Sequence, residues 1–345
     1  MKSVHTYNFI KLIEGYFDEI LLITDTMDVT YPGKVIAINF SVGNVFHYFS
    51  VVSLIRQTIS AFNPSVIHIH QANTAAWVVL KAIGNKRKSA IVTAWGSDVL
   101  LNPKRGFLYR KMTEQVLQKA GYLTAVAPFM ATAMQQLANH DRPIEVINLG
   151  IDPIFASSQE LQASLPLKEN IVFSNRLHKK LYRIDHIIRA FAAWVGQNKD
   201  HWKLVIAGTG PETENLRRLV VQEDIEEAVQ FVGWVSGETN AAWYRKAKIF
   251  ASYPISDGAP ASLFEAMSAG CLPVLSDLPA NNGWVTNQVN GIITPQISAR
   301  DFESAIQLSS SSLLAENYEL IVQKASRSES RKLFFDLYDR VIAHS

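Results

Sequence analysis

Short runs of β-branched and apolar residues alternate with longer amphipathic stretches along most of this 345-residue sequence. In the first half, helix-like segments such as 46–62 and 107–119 separate the runs EILLIT, KVIAIN, SVIHIH, AIVTAW, YLTAVA and IEVINLG. Apolar strands that alternate with helices are typical of a parallel sheet covered by helices on both faces. The alternation therefore predicts an α/β fold of the doubly wound class.

The same alternation returns in the second half of the chain. Its runs are NIVFSNR, WKLVIAG, AVQFVG, KIFASYP, CLPVLSD and GIITP. Between the two series, residues 151–169 lack strand periodicity and contain two prolines, so we interpret them as a linker. The length suits two domains of about 170 residues each. We predict two Rossmann-like, doubly wound domains that face each other across a cleft.

Composition excludes several classes of protein. Hydrophobic residues make up 48% of the chain and charged residues 19%, as in globular proteins. No apolar run reaches the roughly 18 residues of a membrane-spanning helix, and the first residues contain no apolar signal-peptide core. The single cysteine, Cys271, has no partner for an internal disulfide. We therefore expect a cytoplasmic protein.

Basic residues are concentrated in the first half of the chain. They include Lys81, Lys86, Arg87, Lys88, Lys104, Arg105, Arg110, Lys111 and Lys119. Two interpretations stay open: a solvated face of exposed helices, or a surface for an anionic membrane or a phosphorylated acceptor. Nucleic acid is not expected as a partner, because these residues are not interleaved with aromatic ones and the net charge is only +2.

Two carboxylates flank the turn-forming residues of SDGAPASLFEAMSAG, at Asp257 and Glu265. The stretch follows a predicted strand and opens a predicted helix, for which Ser262 is a candidate N-cap. Helix starts at the carboxyl ends of parallel strands favour phosphate, and a carboxylate there can accept hydrogen bonds from ribose hydroxyls. We predict that Glu265, on the first helical turn, binds a nucleoside and that Asp257 binds a sugar. Alternatively, Glu265 only complements the helix dipole and Asp257 is a turn residue.

The motifs around this stretch resemble those of the GT-B glycosyltransferases, specifically the retaining glycosyltransferase family 4 (glycosyl transferases group 1). The E-x7-E motif of that family reads D-x7-E here and continues as AMSAGCLPVLSD. Further similar motifs follow the family order: VIHIHQAN, VTAWGSDV, VINLGID, FSNRLHKK, IAGTGPE and FVGWVS. The resemblance covers roughly residues 60–295. It implies an acceptor-binding domain at 1–152, onto which a C-terminal helix at 328–345 packs, and a donor-binding domain at 153–327.

The resemblance implies a retaining transfer of sugar from a nucleotide-sugar donor to a glycan or lipid-linked acceptor, as in cell-surface polysaccharide synthesis. UDP-sugar is favoured as the donor and GDP-sugar is the other candidate. The leaving diphosphate would be stabilised by Arg176 and Lys180, because guanidinium and ammonium groups can replace a metal there. No metal or other cofactor is expected, since the nine histidines are scattered and no D-x-D motif is present. The candidate catalytic residues are Asp257, Arg176, Lys180 and Asp98.

The resemblance also implies the residues that bind each substrate. Candidate donor-binding residues are Glu265, Gly258, Ala259, Ser262, Leu263, Gly208, Gly210, Pro211, Val232 and Val235. Candidate acceptor-binding residues are His70, Trp95, Gly96 and Ser97. Gly208 and Gly210 would allow a close approach to the donor, although such loops are often only tight turns. His70 is equally well explained as a core histidine, and Asp98 as an N-cap of the following helix.

The chain departs from the family pattern at its start and within several motifs, and the departures at Asp257, Tyr182 and Trp95 keep a second function open. The chain starts with what looks like the first helix, so we expect that the first strand is missing or that the native chain begins upstream. Tyr182 stands near the expected phosphate-binding lysine, so Lys180 or Lys179 has to supply that charge, and Trp95 stands where many members have histidine. The alternative is a degenerate GT-B domain that binds nucleotide sugar or a partner without transfer.

Overall fold

The computed structural model describes residues 4–25, 33–40, 45–155, 157–196 and 201–344. The chain forms two compact units. Unit 1 comprises residues 1–149 and 328–345, and unit 2 comprises residues 150–327. The division at 149/150 lies three residues before the predicted domain boundary at 152/153. Within the described ranges, no helix combines the length and the apolar character that crossing a bilayer requires.

The described part of unit 1 contains two parallel sheets. Strands β1 (Leu21–Thr24) and β2 (Lys34–Ala37) pair with each other, and the second sheet has the order β3-β4-β5-β6. These four strands are β3 (Ile67–His70), β4 (Ala90–Ala94), β5 (Tyr122–Ala125) and β6 (Glu145–Val146). The helices are α1 (Val4–Leu12), α2 (Val45–Phe62), α3 (Thr74–Ile83), α4 (Ser97–Leu100), α5 (Phe107–Lys119) and α6 (Pro128–Ala138). The six runs of the first half are thus all strands, divided between two sheets.

The last helix of the chain completes the core of unit 1. Apolar side chains recur at helical spacing along it, at Phe334, Leu337, Tyr338 and Val341, and all four are fully buried. They pack in one cluster with residues of α1 such as Phe9. The C-terminal helix, which spans Arg327–Ala343, therefore packs with the first helix although more than 300 residues separate them in sequence.

Unit 2 is built on one six-stranded parallel sheet in the order β12-β11-β10-β7-β8-β9. Its strands are β7 (Glu169–Ser174), β8 (Lys203–Ala207), β9 (Val229–Gly233), β10 (Ala247–Ser252), β11 (Leu272–Ser276) and β12 (Ile292–Thr294). Its helices are α7 (Ser158–Ser164), α8 (Ile184–Val195), α9 (Thr213–Gln222), α10 (Gly237–Lys246), α11 (Ala261–Ser268), α12 (Pro279–Asn282), α13 (Ala299–Leu308) and α14 (Ser311–Lys324), and the C-terminal helix is numbered α15. Alternate strand residues enter two separate clusters, Leu204 in one and Val205 in the other. Both faces of the sheet are therefore covered, as the sequence predicts.

The segment predicted as a linker is instead part of unit 2. It forms a 3-10 turn at Pro153–Phe155, the helix α7 and a second 3-10 turn at Leu165–Leu167. Phe155 and Leu161 are buried, and the ring of Phe155 contacts that of Tyr244 at a centroid distance of 5.9 Å. The interpretation as a linker is wrong because these apolar side chains join the core of unit 2.

Candidate active site

The sheet of unit 2 reverses its direction of strand succession between β7 and β10. Strands β8 and β9 follow on one side of β7, whereas β10, β11 and β12 lie on the other. In open parallel sheets, ligands bind beyond the carboxyl ends of the strands at such a reversal. Arg176 follows β7 and Asp257 follows β10. The fold thus brings these two predicted residues to the expected place.

Arg176 is fixed by three neighbouring side chains. Its Nη2 donates to Oδ2 of Asp257 at 2.6 Å, and its Nη1 donates to Oγ of Ser262 at 2.8 Å. The guanidinium also lies over the ring of Tyr182, 4.5 Å from its centroid. Burial opposes the charge of Arg176, but the Asp257 carboxylate outweighs this and the pKa of the guanidinium is raised. The site therefore holds a permanent cation in one orientation.

Asp257 and Ser262 both serve this arginine. The second carboxylate oxygen of Asp257 accepts the main-chain N–H of Gly258 at 2.9 Å. Ser262 does not cap the helix as predicted, because α11 begins at Ala261 and its N-cap position is Pro260, which has no capping side chain. The prediction that Asp257 binds a sugar stays a prediction, since its contacts here are to the protein.

The start of α11 leaves main-chain donors without protein acceptors. The N–H of Leu263 donates to the carbonyl of Pro260 at 2.8 Å, whereas the N–H groups of Ser262 and Ala259 have no acceptor in the described part of the chain. The helix dipole adds to the positive potential of these groups. Leu263 itself is fully buried and its N–H is bonded within the protein, and donor binding by Leu263 stays a prediction.

Glu265 lies on the second turn of α11, one turn later than predicted. Its Oε2 accepts hydrogen bonds from Oη of Tyr244 at 3.2 Å and from Nδ2 of Asn240 at 3.3 Å. No described residue donates to its Oε1. Burial raises the pKa of Glu265 to about 7, although the bonds from Tyr244 and Asn240 act in the opposite direction. One carboxylate oxygen is therefore held by the protein and the other is left to a ligand.

Gly208 and Gly210 make room for the protein's own backbone. A Cβ atom at Gly208 would lie 2.5 Å from the carbonyl oxygen of Arg176, and one at Gly210 would lie 2.4 Å from that of His178. Gly208 also has a φ of +109°, which side chains rarely adopt. Both glycines therefore allow a close approach to the loop after β7. That they also allow a close approach to the donor stays a prediction.

The other predicted residues of unit 2 lie around this edge with different degrees of exposure. The side chain of Lys180 is exposed and makes no hydrogen bond or ion pair with the described residues, and Tyr182 covers the guanidinium of Arg176. That Lys180 helps to stabilise the leaving diphosphate stays a prediction. Pro211 is exposed, whereas Val232 and Val235 pack partly buried against the core.

His70 and Trp95 contact each other at the strand ends of unit 1. Nε1 of Trp95 donates to Nδ1 of His70 at 3.2 Å, so neutral His70 carries its proton on Nε2. Burial lowers the pKa of His70 to about 4, and the residue is neutral at pH 7. Its ring contacts Phe9 and stacks on His68 with a centroid distance of 4.5 Å. His70 thus combines an aromatic core position with one remaining N–H donor.

Asp98 holds the loop that contains Trp95 and Gly96. Its carboxylate accepts the main-chain N–H groups of Ala72 at 2.7 Å, Gly96 at 2.8 Å and Trp95 at 3.1 Å. Only 3% of the residue is exposed. These backbone bonds favour a structural role, and a catalytic role of Asp98 stays a prediction. Of the remaining acceptor candidates, Gly96 is buried and Ser97 is exposed.

Sequence reasoning missed the side chains that hold Glu265. Asn240 and Tyr244 lie four residues apart on one face of α10, and Asn175 immediately precedes Arg176. The i, i+4 spacing of an amide and a tyrosine was the available signal. No three His, Cys, Asp or Glu side chains within the described ranges form a group that could bind a metal ion.

Two family models match the chain. The description "Glycosyltransferase Family 4" covers residues 17–155, and "Glycosyl transferases group 1" covers residues 158–323. Among curated proteins, an uncharacterized glycosyltransferase of Haemophilus influenzae is 28% identical over 148 residues, which are 42% of this chain and 39% of that protein. The alpha-monoglucosyldiacylglycerol synthase of Streptococcus pneumoniae is 26% identical over 46% of this chain and 34% of its own length. These matches span less than half of either relative.

Solved structures show the same fold over nearly the whole chain. Sucrose-phosphate synthase of Thermosynechococcus elongatus has a TM-score of 0.80 at 17% identity and covers 99% of this chain and 94% of its own. HepE of Anabaena, in complex with UDP and glucose, has a TM-score of 0.78 at 15% identity, and the match covers 98% of this chain and 96% of HepE. The predicted architecture of two Rossmann-like units is therefore confirmed.

Proposed function

Because the chain belongs to the GT-B glycosyltransferases of family 4, we propose that it transfers a sugar from a nucleotide-sugar donor to a glycan or lipid-linked acceptor, with retention of configuration. UDP-sugar is the favoured donor, GDP-sugar is the other candidate, and polysaccharide synthesis at the cell surface is the setting. The observation that carries this proposal is the fixed cation of Arg176 at the strand reversal, next to a helix start with unused N–H groups. Both features favour a diphosphate.

The proposed transfer breaks the bond between the anomeric carbon and the β-phosphate oxygen of the donor, while an acceptor oxygen bonds to the same carbon. Negative charge then grows on the leaving diphosphate, where Arg176 and the N–H of Ser262 stabilise it electrostatically. The acceptor proton passes to the leaving phosphate, so no enzyme nucleophile is needed. Arg176 supplies this charge without a metal ion, because Asp257 fixes its orientation before the donor binds.

Glu265 is the proposed ribose ligand of the donor. Its Oε1 has no donor among the described residues, and an ionised carboxylate oxygen there can accept from the two vicinal hydroxyls. The main chain around Val232 and Val235, after β9, is proposed to hold the base. The solved structure of HepE with UDP supports a uridine nucleotide for this fold.

The test of this function is turnover in excess EDTA with Arg176→Ala as the deficient variant. We expect sugar transfer to continue in EDTA and Arg176→Ala to lose at least about a hundredfold in rate, since a fixed charge aimed at the transition state disappears. Arg189→Ala is the matched control, because Arg189 pairs on the surface with Glu223 and lies away from the strand reversal. A strict requirement for Mg²⁺ or Mn²⁺ would contradict the proposal.

A binding domain without transfer is the second candidate function. Tyr182 favours it, because this uncharged side chain lies over the guanidinium of Arg176 near the position of the family's phosphate-binding lysine. Donor hydrolysis separates the two candidates: an enzyme releases nucleotide slowly from at least one UDP- or GDP-sugar, whereas a binding domain shows affinity for the donor without any release.

Contact with an anionic membrane is the proposed setting for a lipid-linked acceptor. The basic residues do not form one surface, because Lys86, Arg87 and Lys88 lie in a 3-10 turn between the end of α3 and the start of β4, at the amino edge of the sheet. At the opposite edge, α5 begins with Phe107 and Leu108, which are 76% and 61% exposed. Lys104 and Arg105 precede them, separated only by Gly106. Exposed apolar side chains beside cations fit a membrane interface better than cations alone.

Liposome co-sedimentation distinguishes the two edges. We expect weak, salt-sensitive binding to anionic vesicles that Phe107→Ser/Leu108→Ser removes and that Lys86→Ser/Arg87→Ser/Lys88→Ser largely retains. Loss in the Lys86→Ser/Arg87→Ser/Lys88→Ser variant alone would indicate that binding depends on charge at the amino edge. Absence of binding by the unmodified protein at low salt would make the basic residues a solvated face and favour a soluble acceptor.

A further inference from the structure

A buried hydrogen-bond network joins the end of β7 to helices α10 and α11. Nδ2 of Asn175 donates to Oδ1 of Asn240 at 3.0 Å and to Oη of Tyr244 at 2.7 Å. Asn240 and Tyr244 in turn both reach Oε2 of Glu265. Two residues of α10 therefore converge on a single carboxylate oxygen, and Asn175 after β7 supports both of them.

The donors of this network run in one direction. Asn175 uses its two amide hydrogens on Asn240 and Tyr244, so the Tyr244 oxygen accepts one bond and keeps its own hydrogen to donate. That hydrogen can reach Oε2 of Glu265, or the carbonyl of Ser262 at 3.1 Å. Asn240 accepts on its oxygen and passes its own N–H to Glu265. The sequence of donors thus ends at Oε2 and leaves Oε1 without one.

The network is not what packing alone would select. The ring of Tyr244 is fully buried against Phe155, Phe173 and Phe250, where a phenylalanine would pack equally well. A buried hydroxyl and a buried carboxyl each carry a desolvation cost that hydrogen bonds only partly offset. Among the described residues, the hydroxyl of Tyr244 bonds only Asn175, Ser262 and Glu265. The presence of this hydroxyl is therefore best explained by its hydrogen bond to the carboxyl of Glu265.

We propose that Tyr244 and Asn240 are positioning residues of the nucleotide site: they hold Oε2 of Glu265 so that Oε1 is directed to the ribose hydroxyls of the donor. This inference rests on the proposed function, which assigns Glu265 to the ribose. Neither residue touches the reacting atoms, and both act through Glu265. They determine how well the site binds nucleotide and leave the chemical step to Arg176.

The same contacts set the pH range in which the site binds. Burial raises the pKa of Glu265, the bonds from Tyr244 and Asn240 lower it, and of the nearby charged groups Asp152 raises it while Arg176 lowers it. Ribose hydroxyls donate to a carboxylate more strongly than to a carboxylic acid. Nucleotide affinity should therefore fall as the pH drops through 7, and removal of the Tyr244 hydroxyl should move this fall to higher pH.

Calorimetric titration with UDP and GDP, from pH 6 to pH 9, tests the proposal on the full chain. Tyr244→Phe keeps the packed ring and should weaken nucleotide binding about tenfold at pH 7 and less at pH 9, which corresponds to one lost hydrogen bond to a charged group. KM for the donor should rise while kcat changes little. Asn240→Ala, at a partly exposed position, should change affinity in the same direction by a smaller factor.

Tyr253→Phe is the matched control. Tyr253 is also a buried tyrosine of unit 2, but its hydroxyl donates to the carbonyl of Pro295 and accepts from the N–H of Ile297. This variant should lose stability without a change in nucleotide affinity or in its pH dependence. If Tyr244→Phe and Asn240→Ala both behave like Tyr253→Phe, the positioning role is overturned. If the unmodified chain binds neither UDP nor GDP, the proposed function fails instead.

Discussion

The two units place polar residues at the carboxyl ends of parallel strands, yet they use them differently. In unit 1, the ring nitrogens of His68 bond Tyr338 at 2.9 Å and Thr93 at 2.6 Å, and Asp98 is occupied by backbone N–H groups. In unit 2, Glu265 keeps one oxygen and Ser262 keeps its N–H without a partner in the described residues. The first cluster uses most of its polar atoms internally and leaves only the Nε2–H of His70 among those described here, whereas the second leaves both a carboxylate oxygen and a main-chain N–H.

Burial perturbs both clusters, so burial alone does not distinguish them. It lowers the pKa of His68 and His70 and raises that of Glu265, which in each case favours the neutral form. What differs is which atoms the protein leaves unused: one N–H of His70 in unit 1, and an oxygen of Glu265 together with the N–H of Ser262 in unit 2. A perturbed pKa is therefore a weaker sign of a binding site than a hydrogen-bonding atom that the protein leaves unused.

The largest expected effect is the loss of stability on substitution of Asp98, which would distinguish this residue from Glu265. Asp98→Ala would leave the N–H groups of Ala72, Trp95 and Gly96 buried without an acceptor, so we expect unit 1 to lose about 3 kcal/mol or more of unfolding free energy. Denaturant unfolding, monitored by amide hydrogen exchange in each unit separately, measures this loss. Full stability together with lost activity would instead support a catalytic Asp98 and contradict the contrast between the two units.

The next effect concerns Glu265→Gln. Because the pKa of Glu265 is raised from 4.5 to about 7 in the folded state, its contribution to stability is complete below pH 4.5 and is lost as the pH rises through 7. Glutamine does not titrate, so we expect a gain of about 2 kcal/mol in unfolding free energy at pH 8. UDP affinity should fall in the same variant. A less stable protein at pH 8 would show that the carboxylate stabilises the fold.

The smallest effect concerns His70 and acid. Its pKa is lowered from 6.5 to about 4, so its contribution to stability is present above pH 6.5 and is lost as the pH falls through 4. Between pH 6.5 and pH 5 we expect the unfolding free energy of unit 1 to fall by about 1 kcal/mol. Partial accessibility of the His70 ring reduces this effect, and the lowered pKa of His68 adds to it. Thermal unfolding monitored separately in each unit tests this. His70→Gln should reduce the dependence, and an unchanged slope would contradict it.

The pattern of runs was sufficient to predict the strands and two Rossmann-like units, because apolar periodicity is local. It also predicted that Arg176, Asp257, Ser262 and Glu265 gather at one edge, since the carboxyl ends of parallel strands share that edge. Periodicity did not show that the interpretation of residues 151–169 as a linker is wrong, because Phe155 and Leu161 are buried through tertiary contacts.

Side-chain direction in loops could not be predicted in the same way. Lys180 is four residues from Arg176, but the chain turns at Arg183 with a φ of +44° and presents Tyr182 to the guanidinium. The sequence did not distinguish a catalytic from a structural Asp98, because the donors to its carboxylate are main-chain N–H groups. Asn240 and Tyr244 approach Glu265 from another helix, more than 20 residues earlier in sequence, so local spacing contained no measure of that contact.

The position of α15 in the core of unit 1 affects how the chain is completed during synthesis. Phe334 and Val341 pack with Phe9, so this core lacks one of its helices until residue 341 has left the ribosome. Unit 2, residues 150–327, is by then fully translated and can fold as a body. The unit whose translation starts first is therefore the last to be finished, and a nascent chain stalled before α15 would expose apolar surface to chaperones.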